Sequence, residues 1–212
     1  TGARLETLSR RAKFLIGSLS TGEALIMHLG MSGRFLVEEG GEVARPGQFH
    51  HDPGRHVIHD HVVFTFETGA RVTYNDVRRF GFMDLMPEAD VEHSRHFAGL
   101  GIEPLSNEFH ADALDRLFAG RAAPLKAALL DQKLIAGLGN IYVCEALNRS
   151  GLSPTRAAGS IAGPGKAAAR DRLAGAIRDV LSEAVAAGGS SISDHARTDG
   201  SLGYFQHSFR AY

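Results

Sequence analysis

Residues 75–82 of this 212-residue chain read NDVRRFGF, two adjacent guanidinium groups running into Phe-Gly-Phe. An arginine can donate to base edges and phosphates, and an aromatic ring beside it can fill a gap in a base stack. Read as the start of a strand, the segment sends Arg78, Phe80 and Phe82 to one side and Arg79 and Gly81 to the other. The first set then faces one ligand, whereas Arg79 is expected to be structural or paired with an acid inside the domain. The competing reading is an ordinary sheet edge whose phenylalanines pack inward.

Four further clusters carry polar or soft groups at element boundaries. In SRRAKFLI, Arg10, Arg11 and Lys13 lead into an apolar strand, which would fix the direction of the lysine and let its ammonium reach a phosphate. A solvated charge run is the competing reading. In HLGMSG, residues 28–33, Met31 sits in a glycine-flanked turn and is exposed by construction. An unbranched, polarizable side chain there can wedge between bases or fold back over the sheet. GLGN, residues 137–140, opens a helix. The free N–H groups of a helix start suit an anion, and without a Walker lysine or a Gly-x-Gly-x-x-Gly pattern a DNA phosphate fits better than a mononucleotide. The tract HHDPGRHVIHDH, residues 50–61, spaces His56, His59 and His61 so that zinc binding is conceivable. No cysteine assists, and a surface loop with one or two functional histidines is the better reading.

The elements that must hold these groups fall into two halves. AKFLIGSL, EALIMHLG, GRFLVEE, HVVFTFET, ARVTYN and FGFMDLMP alternate or run apolar between turn residues, which predicts an antiparallel sandwich or barrel. The Gly/Pro/His-rich stretch GGEVARPGQFHHDPGRH reads as a long loop. From about Leu105 the pattern turns helical, opening near a loosely spaced Ser106–Glu108 capping box. PLKAALLDQ starts on a proline. NIYVCEALNRSG is capped by Asn140 and stopped by Gly151. A long Ala-rich helix follows, with Leu173, Ile177, Val180, Leu181 and Val185 on one face, and ends at Gly188 and Gly189. The expected division is 1–104 and 105–212.

A formal net charge of −1 gives no global polyanion field, so a nucleic-acid surface has to be a local patch. One cysteine excludes an internal disulfide and any Cys-x-x-Cys metal site. No apolar run is long enough to cross a bilayer, and no secretory signal is present.

Taken in order, RRAKFL, HLGMSG, HDHV, DVRRFG, LGIEPLS, GLGNIY and TDGSLGYF resemble the formamidopyrimidine-DNA glycosylase family of bacterial base-excision enzymes, over nearly the whole chain. The resemblance implies an α+β multidomain protein, a β-sandwich domain followed by a helix-two-turns-helix DNA-binding domain. The implied partner is double-stranded damaged DNA, bound by a monomeric, cytoplasmic and nucleoid-associated bacterial enzyme with no membrane association. The implied activity is excision of oxidised purines (formamidopyrimidine and 8-oxoguanine) with strand cleavage by β,δ-elimination. Met31, Arg78 and Phe80 match the intercalating triad. Lys13 matches a lysine near the lesion phosphate that donates a proton in elimination. His28 and Asn140 match phosphate contacts, His59 a DNA-contacting histidine and Arg121 a basic DNA contact. Lys126 and Tyr212 are further phosphate neighbours.

The resemblance also implies an N-terminal proline nucleophile with a following glutamate, and a C-terminal zinc finger with two Cys-x-x-Cys pairs. The chain begins at Thr1, ends at Tyr212 and contains neither. The expectation is therefore a piece of the enzyme, inactive by itself, with no cofactor of its own and zinc held only in the missing finger. Val77 stands where the family has proline, and Ser201 and Leu202 where Lys-Pro is common. A non-catalytic nucleic-acid-binding protein on the same fold is the alternative, and a His-tract metalloprotein a third. The 212-residue chain is expected to form no borohydride-trappable adduct with an abasic or 8-oxoguanine duplex. A trapped adduct would reveal another nucleophile, Lys13 first.

Overall fold

The structure, a computed structural model, describes residues 2–40, 42–43, 57–188 and 205–211. Two compact units divide the chain. One comprises Thr1–Arg10, Phe14–Met86 and Ala184–Ser208, and the other Arg11–Lys13, Pro87–Glu183 and Phe209–Tyr212.

The described residues of the first unit form eight strands: β1 (Leu5–Arg11), β2 (Phe14–Leu19), β3 (Glu23–His28), β4 (Arg34–Glu39), β5 (Glu42–Val43), β6 (Asp60–Thr65), β7 (Arg71–Asn75) and β8 (Phe82–Pro87). They form two four-stranded sheets, in the orders β1-β2-β3-β8 and β5-β4-β7-β6. The alternation in EALIMH places Ala24 and Ile26 fully inside, and the β2–β3 register runs from Phe14 opposite His28 to Ser18 opposite Ala24. Gly22 closes that hairpin with a positive φ of 78°. In the second sheet β4 pairs with β7 from Arg34–Asn75 to Glu38–Arg71. The β6–β7 register shifts between Asp60 and Val62, so His61 is an extra residue in a bulge, a device that re-aims a side chain. The antiparallel sandwich expected from the alternation is present.

The second unit contains α1 (Ala111–Phe118), α2 (Leu125–Leu130), α3 (Asn140–Ser150) and most of α4 (Ala167–Ala186). Its core holds Phe109, Leu114, Phe118, Leu125, Leu129, Leu138, Leu173 and Ile177, all with essentially no exposed surface. Arginines tie the helices to irregular backbone. Arg170, only 6% exposed, meets Asp115 at 3.2 Å and the carbonyls of Ile161 and Gly163 at 3.0 Å each. Arg178 donates to the carbonyls of Ser106 and Phe109, both at 2.6 Å. Arg149 on α3 grips Glu183 on α4 with two bonds of 2.7 Å, the bidentate geometry that suits a planar guanidinium.

The helix starts differ from the sequence expectation by one or a few residues. The residue before α1 is His110, so Ser106 and Glu108 form no capping box. The Ser106 hydroxyl instead closes a local turn onto the Glu103 carbonyl at 2.8 Å. Pro124 precedes α2 rather than opening it, and Gly139, with extended backbone, takes the cap position before α3 and leaves Asn140 as the first helical residue. Gly151 ends α3 in the left-handed conformation, as its position predicts. On α4 the apolar stripe is shorter than expected, because Val185 is 71% exposed. Ile177→Ala is accordingly expected to cost about 2–5 kcal/mol of unfolding free energy by urea titration, and Val185→Ala to stay within about 0.5 kcal/mol.

Candidate nucleic-acid interface

Two backbone turns of the first unit carry Met31, Arg78 and Phe80, the residues expected to form the wedge. The turn after β3 is closed by the Gly33 N–H on the Leu29 carbonyl at 2.9 Å and leaves Met31 55% exposed at its tip. The second turn, residues 76–81, joins β7 to β8 and is a loop rather than the start of a strand. Alternation therefore does not explain which side chains share a face. Arg79 adopts a positive φ of 56°, which turns the chain back on itself and leaves Val77, Arg78, Arg79 and Phe80 all exposed. What joins Arg78 to Phe80 is direct contact, with the guanidinium carbon 4.7 Å from the ring centroid and Phe80 57% exposed. The acid expected to pair with Arg79 is not found among the described residues.

Phe82 also leaves the expected group. At the start of β8 its ring stacks on His28 at 5.6 Å and 10°, with Phe14 edge-on to it at 6.1 Å. The Nδ1 of His28 accepts the Gly30 N–H at 3.0 Å, so in the neutral ring the proton resides on Nε2. His59 ends a short 3-10 turn, Val57–His59, and its carbonyl accepts the N–H of Asp76 at 3.0 Å.

Glycine at position 30 is what lets the two turns touch. A Cβ built there would lie 2.6 Å from both the Phe80 carbonyl carbon and the Gly81 nitrogen, and φ is +67°. Met31, Arg78 and Phe80 are thus gathered by backbone-to-backbone contact, and His28 lies at the base of the same turn.

In the second unit Lys13 and Asn140 belong to neighbouring loops. Ala12, in the turn between β1 and β2, has a positive φ of 53°. Its N–H donates to Glu103 Oε1 at 2.5 Å, and the same oxygen pairs with Arg11 at 3.1 Å. A Cβ on Gly137 would sit 3.4 Å from the Ala12 Cα, so the turn bearing Lys13 rests on the loop that opens α3. Gln132 braces this loop: its amide donates to the carbonyls of Leu130 and Leu138 at 2.8 and 3.0 Å and accepts the Gly137 N–H at 2.8 Å. Asn140 is exposed at the helix start. Lys13 is exposed as well, yet partial desolvation lowers its ammonium from the ordinary lysine value.

The remaining candidates lie apart from this pair in the chain. Arg121 is exposed after α1, with Nε donating to the Leu117 carbonyl at 2.6 Å. Lys126 is half-buried on α2. Tyr212, His56, Ser201 and Leu202 lie outside the described residues. The backbone just before Tyr212 is held by Glu145, a fully buried carboxylate accepting the N–H groups of Arg210 and Ala211 at 2.9 Å each. Among the described residues no group of three or more His, Cys, Asp or Glu side chains is placed to hold a metal ion. Nor is any helix among them long and apolar enough to cross a membrane.

Glu103, Gln132 and Glu145 went unnoticed in the sequence. Each acts on backbone N–H groups, and only the proximity of LGIEPLS, LLDQK and NIYVCE to motif residues hints at it.

Residues 1–83 match the N-terminal domain of formamidopyrimidine-DNA glycosylase, and residues 100–196 match the H2TH domain of the same enzymes. The formamidopyrimidine-DNA glycosylase of Methylobacterium sp. (strain 4-46) is 62% identical over 219 residues, covering 100% of this chain and 73% of its own length. That of Beijerinckia indica is 56% identical over 213 residues, with 100% and 72% covered. Among solved structures, MutM (Fpg) of Thermus thermophilus superposes with a TM-score of 0.80 at 39% identity, over 98% of this chain and 70% of its own. Lactococcus lactis Fpg, in complex with DNA containing an abasic site, gives 0.82 at 30% identity, with 100% and 71% covered. The chain belongs to the formamidopyrimidine-DNA glycosylase family.

Backbone contact at Gly30 makes a separable prediction. Gly40→Ala meets only the cost of a left-handed residue, since nothing lies within 4 Å of the added carbon, and should lose about 1–2 kcal/mol. Gly30→Ala adds a collision with the second turn. It should lose distinctly more in urea unfolding than Gly40→Ala, and equal losses would mean that the two turns do not press on each other.

Proposed function

We propose that the Met31 turn and the Arg78–Phe80 loop enter damaged duplex DNA as a wedge, in a base-excision-repair DNA glycosylase and AP lyase acting on oxidised purines. The observation that carries this reading is the stacked, exposed Arg78–Phe80 pair held in backbone contact with an exposed Met31. No stability argument accounts for three such side chains held out in water. An aromatic and a thioether side chain can fill the space left by a flipped nucleotide, and the arginine can hydrogen-bond the base left behind. The Lactococcus lactis relative is solved with abasic-site DNA, the product-like state such a wedge would meet.

The other groups take roles that follow from their chemistry. His28, with its proton on Nε2, donates to a backbone phosphate. Asn140, at a helix start that no side chain caps, binds a second phosphate. Lys13 gives up a proton during strand elimination, for which a lowered pKa is suited, because a partly desolvated ammonium is a stronger acid. His59, Arg121, Lys126 and Tyr212 add contacts to the sugar-phosphate backbone. The working division is a sandwich domain up to residue 104 and a helical DNA-binding domain from 105. The zinc of the family's finger does not fit these residues, since Cys144 is the one cysteine. In this proposal it is held elsewhere in the protein and takes part in no step described here. The setting is the bacterial cytoplasm, at the nucleoid.

Affinities for an abasic-site duplex and for its undamaged counterpart, measured by fluorescence anisotropy, separate the two kinds of contact. Arg78→Ala should weaken binding of the damaged duplex by about 1–3 kcal/mol and change the undamaged one far less. Lys13→Ala and Arg121→Ala should weaken both alike and flatten the dependence on salt by about one charge each. A lesion preference untouched by Arg78→Ala would sink the wedge assignment.

A further inference from the structure

Asp76 has no exposed surface although its four successors in the loop are all exposed. A buried carboxylate is normally matched by a cation, and among the described residues none pairs with this one. It is matched by four donors instead. Oδ1 accepts the Ser32 hydroxyl at 2.5 Å and the Arg78 N–H at 3.2 Å. Oδ2 accepts the Tyr74 hydroxyl at 3.0 Å and the Gly81 N–H at 2.9 Å. The Asp76 main chain is also engaged, its N–H on the His59 carbonyl and its carbonyl on His61 Nε2 at 2.8 Å.

The provenance of the donors matters more than their number. Ser32 lies next to Met31 in the first turn, and its oxygen also accepts the Arg78 N–H at 3.1 Å. Arg78 and Gly81 bracket Phe80 in the second turn, and Tyr74 comes from β7 beneath them. Burial alone would raise the Asp76 carboxyl. The hydrogen bonds from Ser32, Gly81, Tyr74 and Arg78 outweigh it and hold the group below the usual carboxylate range. Burial, then the bond to Asp76, pushes the Tyr74 phenol up, so it remains a donor.

We infer that Asp76 is a positioning residue for lesion recognition: its carboxylate ties the Met31 turn to the Arg78–Phe80 loop, so that the three probing side chains move as one body. The inference rests on the wedge reading above and adds what sets the spacing of the wedge. It accounts for a fully buried charge followed by four exposed residues.

The test compares the affinity of the protein for an abasic-site duplex with that for the undamaged duplex. Asp76→Asn keeps the shape and replaces one acceptor oxygen by an amide NH2, a donor that faces donors. The ratio of the two affinities should fall about tenfold, the scale of one lost bond to a charged group. Affinity for the undamaged duplex and its salt dependence should hold. In an Arg78→Ala background the same change should lower the ratio by less than it does in the parent, because both act through one element. Should Asp76→Asn not fold, Ser32→Ala removes the tie from the Met31 turn, leaves Asp76 three donors, and should lower the ratio on the same scale, about tenfold. A folded Asp76→Asn or Ser32→Ala with the parental ratio, beside an Arg78→Ala that has lost it, would overturn the inference and leave the wedge standing. Equal losses for both duplexes would assign Asp76 to fold stability alone and overturn it too. A parental ratio in Arg78→Ala itself would remove the wedge reading, and this inference with it.

Discussion

A carboxylate taken out of water has to be matched donor for donor, or it protonates or drags its surroundings back to solvent. In this protein that constraint is met at Asp76 and shapes the end of the sandwich around it. The donors have to converge from two turns and one strand, so the turns must touch. Touching requires glycine at position 30, where a single carbon would collide with the Phe80 and Gly81 backbone. It requires glycine again at position 81, where a Cβ would run into the Tyr74 hydroxyl. The bulge at His61 belongs to the same set, since the extra residue brings an imidazole to the Asp76 carbonyl. A polar centre thus occupies a place where a thin sandwich has little apolar material to offer.

The helical unit solves a related problem with different parts. The loop that opens α3 receives no side-chain cap, yet its backbone is held from the side. Gln132 supplies both an acceptor and donors to the loop backbone, and Glu103 holds the neighbouring Ala12–Lys13 turn in a left-handed conformation. In both units, side chains that would be classed as merely polar satisfy backbone N–H groups near the candidate site residues. Net charge says nothing of this. A chain at −1 overall can present local cationic surfaces because they are assembled from single residues on separate turns.

How far this was legible in the sequence depends on what each feature consists of. Strands such as EALIMH are readable because burial follows a period of two and Ala24 and Ile26 obey it. The loop NDVRRFGF defeats the same rule. Nothing in its residue types announces that Arg79 turns left-handed, and alternation looks alike whether a segment is extended or folded back. Arg78 and Phe80 do meet, but through a contact the pattern did not contain, a cation resting on a ring. Phe82 and Arg79 fell out of place for the same cause. Helix starts moved by a residue or more because capping is decided by backbone angles at Gly139, Pro124 and His110. Asp76 was invisible because Ser32 is 44 residues away in the chain and only the fold brings its hydroxyl within reach.

The contact between Arg78 and Phe80 has a consequence for timing. A long side chain that is free in the unbound protein must be ordered on arrival, at a cost of about 0.5–1.5 kcal/mol. Here the guanidinium already lies against the ring, and the ring stands on backbone that glycine has let come close. Little is left to arrange once a duplex is met. In the wedge role proposed above, a probe already arranged in this way would spend its time on the base step and not on itself, and what it sensed as damage would be how readily that step unstacks.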